Sequence, residues 1–98
     1  NINNCQYIPD DYFSSHALFS IILDSEDERN KKIEELNRNH IPTVVYYKYP
    51  IHLMKGFDSL EHTDGDFPIS ENLSKKILSL PMHPYLSEND IKSIIRYL

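Results

Sequence analysis

The spacing of apolar residues changes along this chain from strand-like to helical and back. Residues 17–23 (ALFSIIL) are a nearly continuous apolar run of strand length, the pattern of a central strand with both faces covered. Ser25 then opens a helix. With Glu28 three positions on it makes a capping box, and Glu26, Asp27 and Glu28 favour the positive end of the helix dipole. Ile33, Leu36 and Ile41 supply the apolar stripe, and Glu28 with Lys32 forms an i,i+4 pair of the favourable orientation. Pro42 excludes Ile41 from the helical region, so the helix is predicted to end near Asn39-His40.

Residues 43–49 (TVVYYKY) are β-branched and aromatic and predict a second strand, stopped by Pro50. No period is sustained from His52 to Pro68, where Gly56, Gly65, Glu61, Asp64 and Asp66 predict an exposed loop with one short helical turn. Ser70 is the predicted cap of a helix with Leu73 and Ile77 on one face. Residues 78–80 then alternate as a third strand, limited by Pro81. The last helix is the best specified: Ser87 as N-cap, Asp90 at its third position, and Leu86 stapled onto Ile91. Ile91, Ile94, Ile95 and Leu98 then fall on one face. The order β-α-β-loop-α-β-α predicts a small two-layer α+β domain, a three-stranded, mostly antiparallel sheet backed by three helices. Residues 1–15, broken at Pro9-Asp10-Asp11, are expected to be a linker, and residues 16–98 the domain.

Ninety-eight residues suit one domain with a modest core, burying about 65% of the unfolded surface. The net charge of −5 and the scattered lysines argue against nucleic acid or an anionic membrane as the main partner. No apolar run approaches the ~18 residues of a membrane span. Cys5 is the only cysteine, which excludes an intrachain disulfide and fits a reducing, cytoplasmic setting. The chain begins Asn-Ile-Asn-Asn with no signal peptide and no initiator methionine, as expected of an excised fragment. Neither glycine has a second one nearby, so no glycine-rich phosphate loop is present. The five histidines lack His-x-x-x-His spacing, and no metal site is expected.

Several segments, in order, resemble the DegT/DnrJ/EryC1/StrS family of pyridoxal-phosphate-dependent sugar aminotransferases. Residues 78–91 (LSLPMHPYLSENDI) are similar to its "LSLPxHPxL, then an acidic-capped helix" signature. Residues 16–23 resemble the strand that opens its C-terminal domain, and residues 27–43 its next helix and exit. Residues 46–52 (YYKYPIH) resemble its "HYPxPxH", matching at Tyr47, Pro50 and His52. Phe67, Pro68, Glu71 and Leu73 resemble its "FPxxExL" helix start. The chain departs from the family at His40, where a glycine is expected, and at Pro42 and Lys48.

The resemblance implies the C-terminal small domain of a fold-type I aminotransferase. It implies a dimeric parent that moves an amino group from a donor such as glutamate to a nucleotide-linked keto sugar, in polysaccharide or antibiotic sugar biosynthesis. The Schiff-base lysine, the aspartate facing the pyridine nitrogen and the phosphate-binding turn belong, in the family, to the large domain. This fragment is therefore expected to hold no catalytic and no cofactor-binding residue, and to be inactive alone. A sugar dehydratase of the same family, or a stand-alone α+β binding module, are the alternatives. The resemblance also places residues 46–52 at the cleft between the domains. His52 is then the leading substrate-binding candidate, able to hold a sugar hydroxyl or relay a proton, although a histidine after Pro50 also serves to fix a turn. Tyr47 offers a hydroxyl to substrate, or packs within its strand. Tyr49 and Lys48 are weaker candidates, and His83 between two prolines reads as part of a rigid turn.

Overall fold

The computed structural model describes residues 5–98. Two strands, β1 (Phe19–Ile22) and β2 (Ile77–Leu80), pair antiparallel, with Phe19 opposite Leu80 and Ile21 opposite Leu78. Three α-helices accompany them: α1 (Glu26–Arg38), α2 (Pro68–Lys76) and α3 (Glu88–Arg96). Two 3₁₀ segments, Ile51–Leu53 and Lys55–Leu60, occupy the aperiodic stretch in place of a single turn. The α+β class and the antiparallel sheet are as expected, with two strands instead of three.

The register explains the layers. Side chains alternate across a strand, so Phe19, Ile21, Leu78 and Leu80 share one face. That face joins Leu36 of α1, Ile41 and Ile94 of α3 in a single core, within which Leu36 and Leu78 have no exposed surface. The other face carries Ser20 and Ser79, whose hydroxyls share a 2.7 Å hydrogen bond, flanked by Ile22 and Ile77. Ile22 remains partly exposed. β1 is thus covered on one face only, contrary to the reading of its apolar run as doubly buried. Its outer edge bridges to Cys5, inside the segment expected to be linker.

The second predicted strand, residues 43–49, is reduced to one bridge. Val44 and Ser79 exchange both backbone hydrogen bonds, at 3.1 and 2.8 Å. In an antiparallel ladder the next such pairs lie two residues away on each side. One would join Pro42 to Pro81, neither of which has an N–H. The other would need the N–H of Ile77, which is already bonded to the Leu73 carbonyl at the end of α2. Pairing therefore stops after one step, and residues 46–49 turn away from the sheet.

Helix ends follow sequence closely, with three corrections. At α1, Ser25 accepts from the Glu28 N–H, but the reciprocal half of the box is not formed. Lys32 bonds Glu35 and the Tyr97 carbonyl instead of Glu28, because the last carbonyls of α3 lack intrahelical donors. α2 begins earlier than expected, with Phe67 at the N-cap, Pro68 in the first turn and Ser70 inside the helix; Ile77 belongs to β2. α3 has the full capping box of Ser87 and Asp90. On its apolar face only Ile94 is buried, while Ile91, Ile95 and Leu98 line a shallow groove with Met82 and Leu86.

α1 ends in a Schellman motif. The His40 N–H bonds Asn37 and the Ile41 N–H bonds Leu36, with His40 in the left-handed region at φ 59°. A histidine fills the position where glycine was expected, and Ile41, packed in the core with Leu36, holds the turn in place.

Candidate functional site

Where residues 46–51 leave the sheet, they meet the start of α2 across a cleft of about 600 Å³. Tyr46, Tyr47, Tyr49 and Ile51 line it from one segment, and Phe67, Ile69 and Leu73 from the other. Most of this apolar surface is uncovered: Ile69 is 76% exposed and Tyr47 70%. The lining includes no lysine or arginine, and Asp66 is its only carboxylate. The cleft thus offers ring faces and phenol hydroxyls, chemistry suited to a sugar or a base rather than to a phosphate.

His52 is held differently. Pro50 caps the 3₁₀ turn Ile51–Leu53, and its carbonyl accepts from the Leu53 N–H, which directs His52 toward α2. Its side chain is only 8% exposed; Nε2 lies 2.9 Å from Oε1 of Glu71, and the ring packs 4.7 Å from that of Phe67. Tyr47 is therefore in the cleft wall, while His52 sits behind Phe67 and outside the lining. The two sequence candidates are in the same region but not in one constellation.

In the sequence, Glu71 stands out only as part of a helix-start motif. It is the hub of this region. Its carboxylate accepts from the Gly65 N–H on both oxygens at 3.0 Å, from the Phe67 N–H at 3.1 Å, and lies against His52. Gly65, at φ 97°, allows the turn that aims these amides at α2. Burial opposes the charge on Glu71, but the Phe67 amide, the His52 ring and the Gly65 amide outweigh it and hold the carboxyl below its ordinary value. Asp66 is lowered chiefly by the Thr63 N–H, with His62 adding to the effect against a desolvation penalty. Phe67 contacts both the His52 and His62 rings. A glutamate in the first turn of a helix that begins Gly-Asp-Phe-Pro was the available sequence signal, since orphan amides there need an acceptor.

No cluster of three metal-ligating side chains occurs among the described residues, and no helix there is long and apolar enough to cross a membrane. For pyridoxal phosphate, the cleft provides no amine and no cation, so its lining does not fit that group.

The model of the DegT/DnrJ/EryC1/StrS aminotransferase family matches residues 2–98. A dTDP-3-amino-3,4,6-trideoxy-alpha-D-glucose transaminase of Micromonospora megalomicea is 33% identical over 70 residues, covering 70% of this chain and 19% of that protein. Among solved structures, a DegT DnrJ EryC1 StrS aminotransferase from Brucella abortus superposes with a TM-score of 0.83 at 36% identity, covering 98% of this chain and 25% of the other. Spr1654 of Streptococcus pneumoniae in its PLP form gives 0.82 at 26% identity, covering 95% and 24%. The chain spans between 16% and 22% of the length of the curated relatives it first matches.

Proposed function

Because the chain belongs to the DegT/DnrJ/EryC1/StrS aminotransferase family, we propose that it is the C-terminal small domain of an enzyme that aminates nucleotide-linked keto sugars. In this reading the tyrosine-lined cleft is one wall of the substrate site. The single observation that supports it most is the uncovered aromatic and aliphatic surface around Tyr47 and Ile69, which a self-contained domain of this size would ordinarily bury. A wall without lysine or arginine supports the sugar as its part of the substrate in this reading, with the nucleotide phosphates held elsewhere in the parent.

Pyridoxal phosphate, when bound by the parent's large domain, supplies the electron sink for amino transfer. This chain's residues shape the cleft and exclude water; Tyr47 presents its hydroxyl, and His52 holds a substrate group through the ring nitrogen not engaged by Glu71. The isolated chain transfers no amino group.

The test is steady-state kinetics of the full-length enzyme and of the 98-residue chain with a keto sugar nucleotide and glutamate. His52→Ala lowers turnover or sugar affinity with the fold intact, and the short chain is inactive. Unchanged kinetics in His52→Ala would remove that residue from the site, and turnover by the short chain would overturn the domain assignment.

A further inference from the structure

We propose that Glu71 is a positioning residue: it fixes His52 as the tautomer protonated on Nε2, leaving Nδ1 as a hydrogen-bond acceptor for the substrate. This deepens the reading of His52 given above and rests on it for its functional consequence.

The assignment follows from counting donors. Oε1 of Glu71 lies within hydrogen-bond distance of the Gly65 and Phe67 amides, and a backbone N–H can only donate. That oxygen is therefore an acceptor surrounded by donors, and the third group on it, Nε2 of His52 at 2.9 Å, must also donate. In a neutral imidazole the lone pair then sits on Nδ1. The competing carboxylate, Asp66, already accepts from the Thr63 amide and lies 3.5 Å from Nδ1 of His62. Turning the His52 ring over would set a carbon against Oε1 and forfeit the bond.

Nδ1 of His52 makes no hydrogen bond within the described residues. Among the described residues the fully buried side-chain polar atoms that lack a partner are Arg29 Nε and Thr43 Oγ1, and Nδ1 of His52 is not one of them. One nitrogen is thus anchored and the other is left unengaged, on a ring that packs against the back of Phe67. The chemistry this selects is specific: an imidazole nitrogen with a lone pair receives a hydrogen bond from a hydroxyl or an amine N–H, and gives none to a keto oxygen. His52 accordingly recognises a hydroxyl or the nascent amine of the sugar and takes no part in polarising the carbonyl.

Long-range ¹H–¹⁵N correlation NMR of the ¹⁵N-histidine-labelled chain, at about pH 8 where imidazoles are ordinarily neutral, reads the tautomer directly. His52 is assigned by the signal lost in His52→Ala. The expected pattern is a protonated Nε2 and a bare Nδ1, collapsing to averaged shifts in Glu71→Ala. A proton on Nδ1, or averaged shifts in the unaltered chain, overturns the proposal.

The full-length enzyme supplies a second test. Glu71→Ala lowers kcat by at least about tenfold, and combining it with His52→Ala gives a variant no slower than His52→Ala alone. Additive losses would mean that Glu71 does not act through His52. If His52→Ala is itself silent, the substrate-binding reading fails whatever the tautomer, so the two ideas fall separately.

Discussion

His40→Gly should stabilise this domain. His40 stands at the left-handed position of the Schellman motif that ends α1, at φ 59°, and its side chain is exposed. An L-residue there costs about 1–2 kcal/mol because its Cβ crowds the following carbonyl. Glycine removes that penalty but adds conformational freedom to the unfolded chain, offsetting about 0.5–1 kcal/mol of the gain. The net is a stabilisation of about 0.5–1 kcal/mol. With a urea m-value of about 1.5 kcal/mol/M, the midpoint rises by roughly 0.3–0.7 M. The opposite substitution sharpens the test. His40→Val puts a β-branched residue at positive φ and should lose about 1 kcal/mol or more. Urea unfolding of the three chains, followed by far-ultraviolet circular dichroism, decides it. If glycine lowers the midpoint, or valine leaves it unmoved, the backbone at position 40 is not the determinant and the argument from the motif is wrong.

Leu78→Ala, at a site with no exposed surface opposite Ile21, should cost about 3 kcal/mol by urea titration. Ile69→Ala, largely exposed, should stay within about 0.5 kcal/mol; similar values for the two would contradict the core assigned here. Acid should loosen the starts of α2 and α3. Glu71, Asp66 and Asp90 all titrate below their ordinary values of 4.5, 3.8 and 3.8, so in each case the folded state favours the charged form. Their contribution is full above those values and is lost as pH falls through the lower folded ones. Tyrosine near-ultraviolet circular dichroism should therefore be constant from pH 7 to about 5 and decline below about 4; a decline beginning above pH 6 would implicate other groups.

Local features of the fold were legible because they depend on neighbours in sequence. Ser87 and Asp90 form a reciprocal cap whatever the rest of the chain does, and Pro42 keeps Ile41 out of the helix just beyond the end of α1. Ser25 was half legible: the hydroxyl found its amide, but Glu28 was not drawn back. The strand at residues 43–49 was misread for a non-local reason. Its composition favours a strand, but its would-be partners are two prolines and an amide already spent on capping α2. Propensity describes what a segment accepts, while pairing also needs donors on the other side.

The site divides in the same way. Tyr47 and His52 were singled out by the resemblance of residues 46–52 to one family segment, and the structure separates them, placing the first in the cleft wall and the second behind Phe67. Glu71 lies 19 residues beyond His52, and no local pattern links a helix-start glutamate to that ring.

By itself, the sequence determined the helix boundaries set by caps and prolines, the α+β class, and the family that its ordered motifs resemble. The tertiary structure alone decided that residues 46–51 would bound a cleft instead of extending the sheet. It alone brought a buried carboxylate, two backbone amides and one imidazole nitrogen together. The reason is physical: hydrogen-bond donors and acceptors are consumed in pairs, and which pairs form depends on what the folded chain has brought within about 3 Å.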